Sequence, residues 1–129
     1  MGIEFSWDYT SYPGYEKYPH LFKPIQIGKL TIPNRIKYAA TEDNLNGGDG
    51  FVTDAGVGYL RERAKGVVGG LCVMQGVYMD EKRQGQGYVG QAAAWDDKFI
   101  PGLKRLADAI HEEKAVSYTH LTLPTTPYV

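Results

Sequence analysis

The chain has 129 residues, and its 14 Lys and Arg against 15 Asp and Glu give a net charge of −1 at neutral pH. This balance predicts no basic patch and therefore no nucleic-acid partner. No run of about 18 apolar residues is present, so no membrane-spanning helix is expected. The one cysteine, Cys72, has no internal disulfide partner, which favours a reducing, cytoplasmic setting.

Residues 1–20 form an aromatic N-terminal arm. The spacing of its aromatic residues is typical of neither a helix nor a strand. They are Phe5, Trp7, Tyr9, Tyr12, Tyr15 and Tyr18. We expect the arm to pack on the fold or on a partner subunit, and a contact with substrate is the alternative. Residues 21–32 then predict a hairpin of two short strands around Gly28 and Lys29.

Residues 35–40 predict a strand that ends in small residues, and small residues allow another group to approach the backbone closely. A polar, glycine-rich loop covers residues 42–52. Thr53 or Asp54 is expected to cap a helix that ends at Gly66. The apolar face of this helix is formed by Val57, Leu60 and Ala64.

A second strand is predicted at Leu71–Met74, because a short continuous apolar run is typical of a strand buried on both faces of a parallel sheet. Cys72 lies in this run, with no histidine near it in the sequence, so we expect a buried structural residue. A long polar loop follows over residues 77–95.

The strongest amphipathic pattern belongs to a second helix, which Asp96 or Asp97 is expected to cap and which has Pro101 in its first turn. Its apolar positions are Leu103, Leu106, Ala107 and Ile110. Strands that alternate with helices favour an α/β fold with a parallel sheet. A (β/α)₈ barrel needs about 250 residues. We therefore predict an incomplete (β/α)₈ TIM barrel over residues 21–114, roughly the first two β/α units.

One sequence pattern suggests a dinucleotide site, since residues 85–90 satisfy G-x-G-x-x-G. That site requires a strand directly before the pattern and a helix that opens on it. The preceding residues 79–84 are polar and charged, so a flexible loop above the barrel mouth is the favoured interpretation. His20 and His111 lack the spacing of metal ligands, and no metal site is predicted.

Four stretches together resemble the N-terminal part of the Old Yellow Enzyme family of flavin oxidoreductases. They cover most of residues 20–114 and are Leu21–Gly28, Ile32–Ile36, Tyr59–Gly70 and Trp95–Leu106. The nearest branch contains 2,4-dienoyl-CoA reductase and related NADH:flavin oxidoreductases, some of which carry an iron–sulfur cluster and a second flavin domain. The resemblance implies a (β/α)₈ barrel with FMN at its C-terminal mouth.

The resemblance also implies which residues after the first strand face the flavin. In the family, backbone groups at this strand end lie against the ring system, and here they belong to Ala39, Ala40 and Thr41. The next position commonly holds Thr or Cys, but this chain has Glu42. A carboxylate there would disfavour the anionic reduced flavin unless it is protonated or paired.

At the end of the second strand the family has a small residue beside the flavin. Gly76 matches it, with Gln75 before it. Val67 departs from the family, which usually has Gly at that position. The family's paired His/Asn or His/His, its proton donor and its phosphate-binding loops come from later strands. The resemblance therefore assigns no catalytic residue to this chain.

The predicted function is that of an FMN-dependent oxidoreductase in a longer parent protein, which passes a hydride from NAD(P)H through the flavin to an activated alkene or related small molecule. The branch also implies a 4Fe-4S cluster and FAD in the parent, and a homo-oligomer is expected. One alternative is another phosphate-binding barrel, such as an aldolase-like lyase. A catalytic Lys at a strand end would favour it, but Lys37 lies inside the first predicted strand. The other is a small stand-alone binding protein. By itself this chain is expected to be inactive, poorly soluble and free of FMN.

The character of the chain changes after Lys114, because residues 115–129 contain no charged residue. A strand is expected at this point, yet the segment is rich in Thr and Pro and has no clean period. Residues 116–125 can be encoded by GTC TCT TAT ACA CAT CTG ACG CTG CCG ACG. This string resembles the mosaic-end adapter of transposase-made sequencing libraries. We therefore interpret residues 115–129 as a non-native tail, with a natural polar terminus as the alternative.

The adapter hypothesis predicts the codons of the tail. We expect the coding DNA of residues 116–125 to match the adapter string, and Ala115 to be encoded by GCT, which supplies the two preceding adapter bases. Sequencing the genomic locus without transposase is then expected to give a different continuation after Lys114. Other codons at these ten positions would contradict the hypothesis.

Overall fold

The computed structural model describes residues 7–122, which form a hairpin, a parallel sheet and two helices. Strands β1 (Ile25–Ile27) and β2 (Leu30–Ile32) pair antiparallel as the hairpin. The parallel sheet has the order β3-β4-β5. Its elements in chain order are β3 (Lys37–Tyr38), α1 (Asp54–Gly66), β4 (Leu71–Tyr78), α2 (Ile100–Glu112) and β5 (Val116–Thr122). Each helix connects two neighbouring parallel strands, so the predicted opening units of a (β/α)₈ barrel are confirmed.

The hairpin is present where the sequence predicts it, with Gly28 at a φ of 58° in its turn. Its first predicted residues instead form a 3₁₀ helix, Pro19–Phe22. The reason is aromatic packing, because the Phe22 ring lies 5.3 Å from Tyr9 and 5.6 Å from Tyr15 between ring centroids. The arm thus packs on the fold as expected, while Phe5 lies outside the described residues.

Helix α1 begins as predicted, since Thr53 Oγ1 accepts a hydrogen bond from the Gly56 N–H at 3.2 Å. Its predicted apolar face is buried against the sheet and α2. Gly66 is the last helical residue, but the left-handed residue that redirects the chain is Val68, with a φ of 51°. A β-branched residue in this conformation is strained and needs support from its surroundings.

Strand β4 is longer than the sequence indicates. It was predicted to end at Met74, yet it continues to Tyr78, and every residue from Cys72 to Tyr78 is buried. Gln75 and Gly76 interrupt the apolar run and so conceal the second half of the strand. Strand β3 is shorter than predicted, because only Lys37 and Tyr38 pair with β4.

Helix α2 follows a short 3₁₀ turn that Asp96 caps, with its Oδ1 accepting from the Lys98 N–H at 2.9 Å. Pro101 lies in the first turn of the helix, as predicted. The buried face contains Ala109 where the pattern predicted Ala107. This face packs with α1 and one side of β4 in the main apolar core, whose buried members from α2 and β4 are Leu106, Ala109, Ile110, Cys72 and Met74. No described helix combines the length and apolar character that a membrane crossing requires.

The segment after Lys114 forms strand β5, which pairs parallel to β4. The pairing begins with Leu71 opposite Val116 and ends with Tyr78 opposite Thr122. Ala115 is buried in the main core. A Thr-rich segment can occupy this position because β-branched residues suit a pleated strand. The remaining tail residues, 123–129, lie outside the described part, and the adapter origin of the tail stays a prediction.

Asn34 connects the arm, the end of α1 and the start of β3. Its side chain is fully buried, and Nδ2 lies within hydrogen-bond distance of the Val67 and Val68 carbonyls, at 3.0 and 2.8 Å. Its Oδ1 accepts from the Ile36 N–H at 2.8 Å. The Tyr9 hydroxyl also donates to the Val68 carbonyl at 3.0 Å. These contacts support the strained turn after α1.

We expect Asn34→Asp to destabilise the protein by about 3 kcal/mol, because a carboxylate cannot donate to the two buried carbonyls. The measurement is thermal unfolding of the full-length protein that contains this chain. Thr31→Val is the control, since the Thr31 hydrogen bond to Gln26 is exposed and its loss is expected to change stability by less than about 0.5 kcal/mol. Equal melting temperatures for the two variants would contradict the role given to Asn34.

Candidate functional site

The segment after β3 presents small and polar side chains to solvent. Ala39, Ala40, Thr41 and Glu42 are all exposed. Thr41 Oγ1 donates to the Ala39 carbonyl at 3.1 Å, which gives the segment a local turn. Because β3 and β4 run parallel, this segment leaves the sheet in the direction in which β4 continues.

Gln75 and Gly76 lie within β4, near its carboxyl end, and not after it as the sequence indicates. The register between β4 and β5 shifts between Val73 and Gly76. Gln75 is buried, and its Oε1 accepts from the Tyr88 hydroxyl at 2.5 Å. The Gly76 carbonyl accepts from Gln91 Nε2 at 3.1 Å. The loop that follows β4 therefore folds back onto this pair of residues.

The loops that follow β3 and β4 contact each other. The Asn46 N–H donates to the Gly90 carbonyl at 3.3 Å, and a side chain at Gly90 would collide with the Asn44 backbone. Burial, with a further contribution from the carboxylates of Glu42 and Asp43, raises the pKa of Tyr88 well above its usual value. Tyr88 is thus influenced by the charge of Glu42 and hydrogen-bonded to Gln75.

The G-x-G-x-x-G segment has the loop context that the sequence favours. Asp80 accepts from the Gln84 and Gly85 N–H groups at 2.6 and 2.9 Å, which forms a turn directly before the pattern. Strand β4 ends seven residues before Gly85, and no helix opens on Gly90. The geometry that places a pyrophosphate on a helix N-terminus is therefore missing in this segment.

A tyrosine pair beside the end of β3 was missed by the sequence analysis. The hydroxyls of Tyr38 and Tyr59 are 2.9 Å apart, and the Arg63 guanidinium lies 4.6 Å from the Tyr59 ring centroid. The hydrogen bond with Tyr38, helped by Arg63, lowers the pKa of Tyr59, whereas burial raises the pKa of Tyr38. The i, i+4 spacing of Tyr59 and Arg63 places them together on α1, but no sequence signal connects them to β3. The pair fixes α1 against the strand end that precedes Ala39.

A groove between α1 and α2 lies on the outer surface of the helices and not at the strand ends. Its charged residues are already paired, Arg61 with Glu112 at 2.7 Å, Arg105 with Asp54, and Asp108 with the neighbouring Lys104. Within residues 7–122, no three metal-ligating side chains come together. His111 Nε2 is 2.8 Å from Ser117 Oγ, which is a structural contact at the end of α2.

The chain matches the sequence model of a protein family over most of its length. The model described as the NADH:flavin oxidoreductase / NADH oxidase family matches residues 20–124. The chain is 35% identical over 113 residues to an NADH oxidase from Thermoanaerobacter brockii, and 39% identical over 118 residues to a metal reductase from Desulforamulus reducens. These matches cover 85% and 84% of this chain but only 17% of each relative.

Two solved structures share the fold of this chain. A 2-naphthoyl-CoA reductase in complex with 2-naphthoyl-CoA matches with a TM-score of 0.75 and 48% identity, over 81% of this chain and 16% of that chain. An Old Yellow Enzyme from Pichia matches with a TM-score of 0.71 and 25% identity, over 80% of this chain and 26% of that chain. The chain thus spans only a minor part of the length of each of these proteins.

Cys72 is expected to be chemically inert in the native protein. It is fully buried, and burial raises the pKa of its thiol from 9.0 to about 11, so the reactive thiolate is suppressed at neutral pH. We expect iodoacetamide at pH 8 to label Cys72 in the native full-length protein at less than about a tenth of the rate measured in urea. Mass spectrometry of the Cys72 peptide provides the measurement, and equal labelling rates in both conditions would show that the thiol is accessible.

Proposed function

Because the chain belongs to the NADH:flavin oxidoreductase / NADH oxidase family, we propose that it supplies two flavin-facing strand ends of an FMN-dependent oxidoreductase. The residues are Ala39, Ala40, Thr41, Glu42, Gln75 and Gly76. When bound, FMN supplies hydride transfer from NAD(P)H to an activated alkene or related small molecule. The chain's own residues bind and orient the ring system. The observation that carries the proposal is that the loop after β4 folds back onto Gln75 and Gly76 and also contacts the loop after β3.

The residues fit one edge of a flat, polar ring system. Ala39 and Ala40 expose only methyl groups, so a ring can approach the backbone between them. The Gln75 oxygen accepts from the Tyr88 hydroxyl, which leaves the amide nitrogen as the donor of this side chain. This amide nitrogen is therefore suited to donate to a carbonyl or ring nitrogen of the flavin.

The carboxylate of Glu42 distinguishes this site electrostatically. It lies exposed after the small residues and acts on Tyr88 across the loop. A negative charge beside the flavin would disfavour negative charge on the ring when it is reduced. Glu42 is therefore proposed to lower the reduction potential of the bound cofactor relative to a neutral residue at the same position.

The proposal extends to a larger parent protein with a 4Fe-4S cluster and FAD. Its support is the length of the relatives, because 113 aligned residues make up only 17% of the NADH oxidase. That relative is more than twice as long as one barrel of about 250 residues. We further propose that the parent is a cytoplasmic homo-oligomer. The buried free thiol of Cys72 fits a reducing compartment.

A bulky residue at position 40 is expected to block the cofactor. We expect Ala40→Trp to raise the Kd for FMN at least about tenfold in the full-length protein, since an indole would occupy the space that the ring needs. Ala55→Trp is the matched control, because Ala55 is also exposed but lies on α1. FMN fluorescence quenching measures both affinities. A wild-type protein that binds no FMN would overturn the proposed function, and equal affinities of the two variants would remove position 40 from the site.

A further inference from the structure

The segment Gly85–Gln91, whose glycine pattern has no role in the proposed function, binds both flavin-facing residues of β4. Its Tyr88 hydroxyl donates to Gln75 Oε1 at 2.5 Å. Its Gln91 Nε2 donates to the Gly76 carbonyl at 3.1 Å. Two neighbouring strand residues are thus contacted by side chains three positions apart in one loop.

Gln91 makes this connection in a defined orientation. The residue is fully buried, and its Oε1 accepts from the Gly87 N–H at 2.7 Å. With the oxygen occupied by Gly87, the amide nitrogen must face the Gly76 carbonyl. A side chain of this length needs both a donor and an acceptor to satisfy the two backbone groups. Glutamine provides both, whereas methionine and leucine provide neither.

Gln91 contacts β4 at Gly76, where strand pairing restrains the backbone less than it does along the rest of the strand. The register between β4 and β5 shifts between Val73 and Gly76, and Gly76 has no side chain to pack. A hydrogen bond from a buried amide restricts the peptide at this point. Gln91 therefore determines the position of the Gly76 backbone, and with it the surface that a group bound next to Gly76 would contact.

Tyr88 performs the corresponding task for Gln75. Its hydroxyl stays protonated at neutral pH, because burial and the nearby carboxylates of Glu42 and Asp43 raise its pKa. It therefore remains a donor and keeps the Gln75 oxygen turned toward the loop. The Gln75 nitrogen is then directed away from Tyr88, where it is suited to donate.

We propose that the segment Gly85–Gln91 positions the flavin, with Gln91 acting through the Gly76 backbone and Tyr88 acting through the Gln75 amide. Both are positioning residues, because each acts on the cofactor through another residue. This inference rests on the proposed function, which places Gln75 and Gly76 at the flavin. It assigns to the G-x-G-x-x-G pattern a supporting role in an FMN site in place of a dinucleotide fingerprint.

The test compares Gln91→Met and Tyr88→Phe in the full-length protein loaded with FMN. Gln84→Met is the matched control, because Gln84 lies in the same loop, is exposed and contacts Asp80 only through its backbone. We expect Gln91→Met to raise the Kd for FMN about tenfold, which corresponds to about 1.4 kcal/mol. Both site variants are expected to shift the visible absorption bands and the midpoint potential of the bound flavin, whereas Gln84→Met changes neither.

The outcomes separate this inference from the proposed function. A wild-type protein without flavin would overturn the proposed function itself. A wild-type protein that binds FMN, with Gln91→Met and Tyr88→Phe showing the same Kd, spectrum and potential, would overturn the positioning role alone. If Gln91→Met does not fold, Tyr88→Phe decides, because it removes only a hydroxyl, and an unchanged flavin spectrum in that variant would refute the inference.

Discussion

The buried amide of Asn34 is the interaction on which the rest of the described structure depends. It binds the Val67 and Val68 carbonyls and so stabilises a turn in which Gly69 and the β-branched Val68 both have left-handed backbone, which is strained at Val68. That turn leads the chain from α1 into β4, where the Leu71 N–H donates to the Ile36 carbonyl at 3.0 Å. The resulting register between β3 and β4 determines how far each strand extends toward the mouth of the barrel. A single side chain at the opposite end of the sheet therefore sets the relative height of the two strand ends that carry the proposed flavin contacts.

Strand β4 connects the apolar core with the proposed flavin site. Cys72 and Met74 pack into the core with α1 and α2, whereas Gln75 and Gly76 bind the loop that follows the strand. The first group is apolar and the second is polar or lacks a side chain, although all four are buried. Burial of polar groups is tolerated here because the Gln75 side-chain oxygen and the Gly76 carbonyl each accept a hydrogen bond from the loop. The first half of the strand thus belongs to the apolar core and the second half to the proposed site, and both halves are buried.

Local signals predicted the elements whose causes are local. The Thr53 and Asp96 caps and the two amphipathic helices are where the pattern places them, because capping and periodicity involve residues within one turn of each other. The predicted end of β4 was wrong. Gln75 is buried because it accepts a hydrogen bond from Tyr88, thirteen positions away in the sequence. The left-handed Val68 and the Tyr38–Tyr59 pair likewise arise from contacts that no short window contains. The proposed flavin-facing residues rest on family resemblance, because small side chains at a strand end do not by themselves identify a ligand.

The packing of the N-terminal arm has a consequence for the order in which this protein can fold as it is made. Trp7 lies against Gly69, at a place where any side chain would collide with the indole, and Tyr9 bonds to Val68, 59 positions later. At roughly 5–20 residues per second, the ribosome needs on the order of 3–12 s to supply the partner of the arm. During that interval the aromatic rings have no core to enter. The nascent arm is therefore exposed to aggregation until these partners have been made.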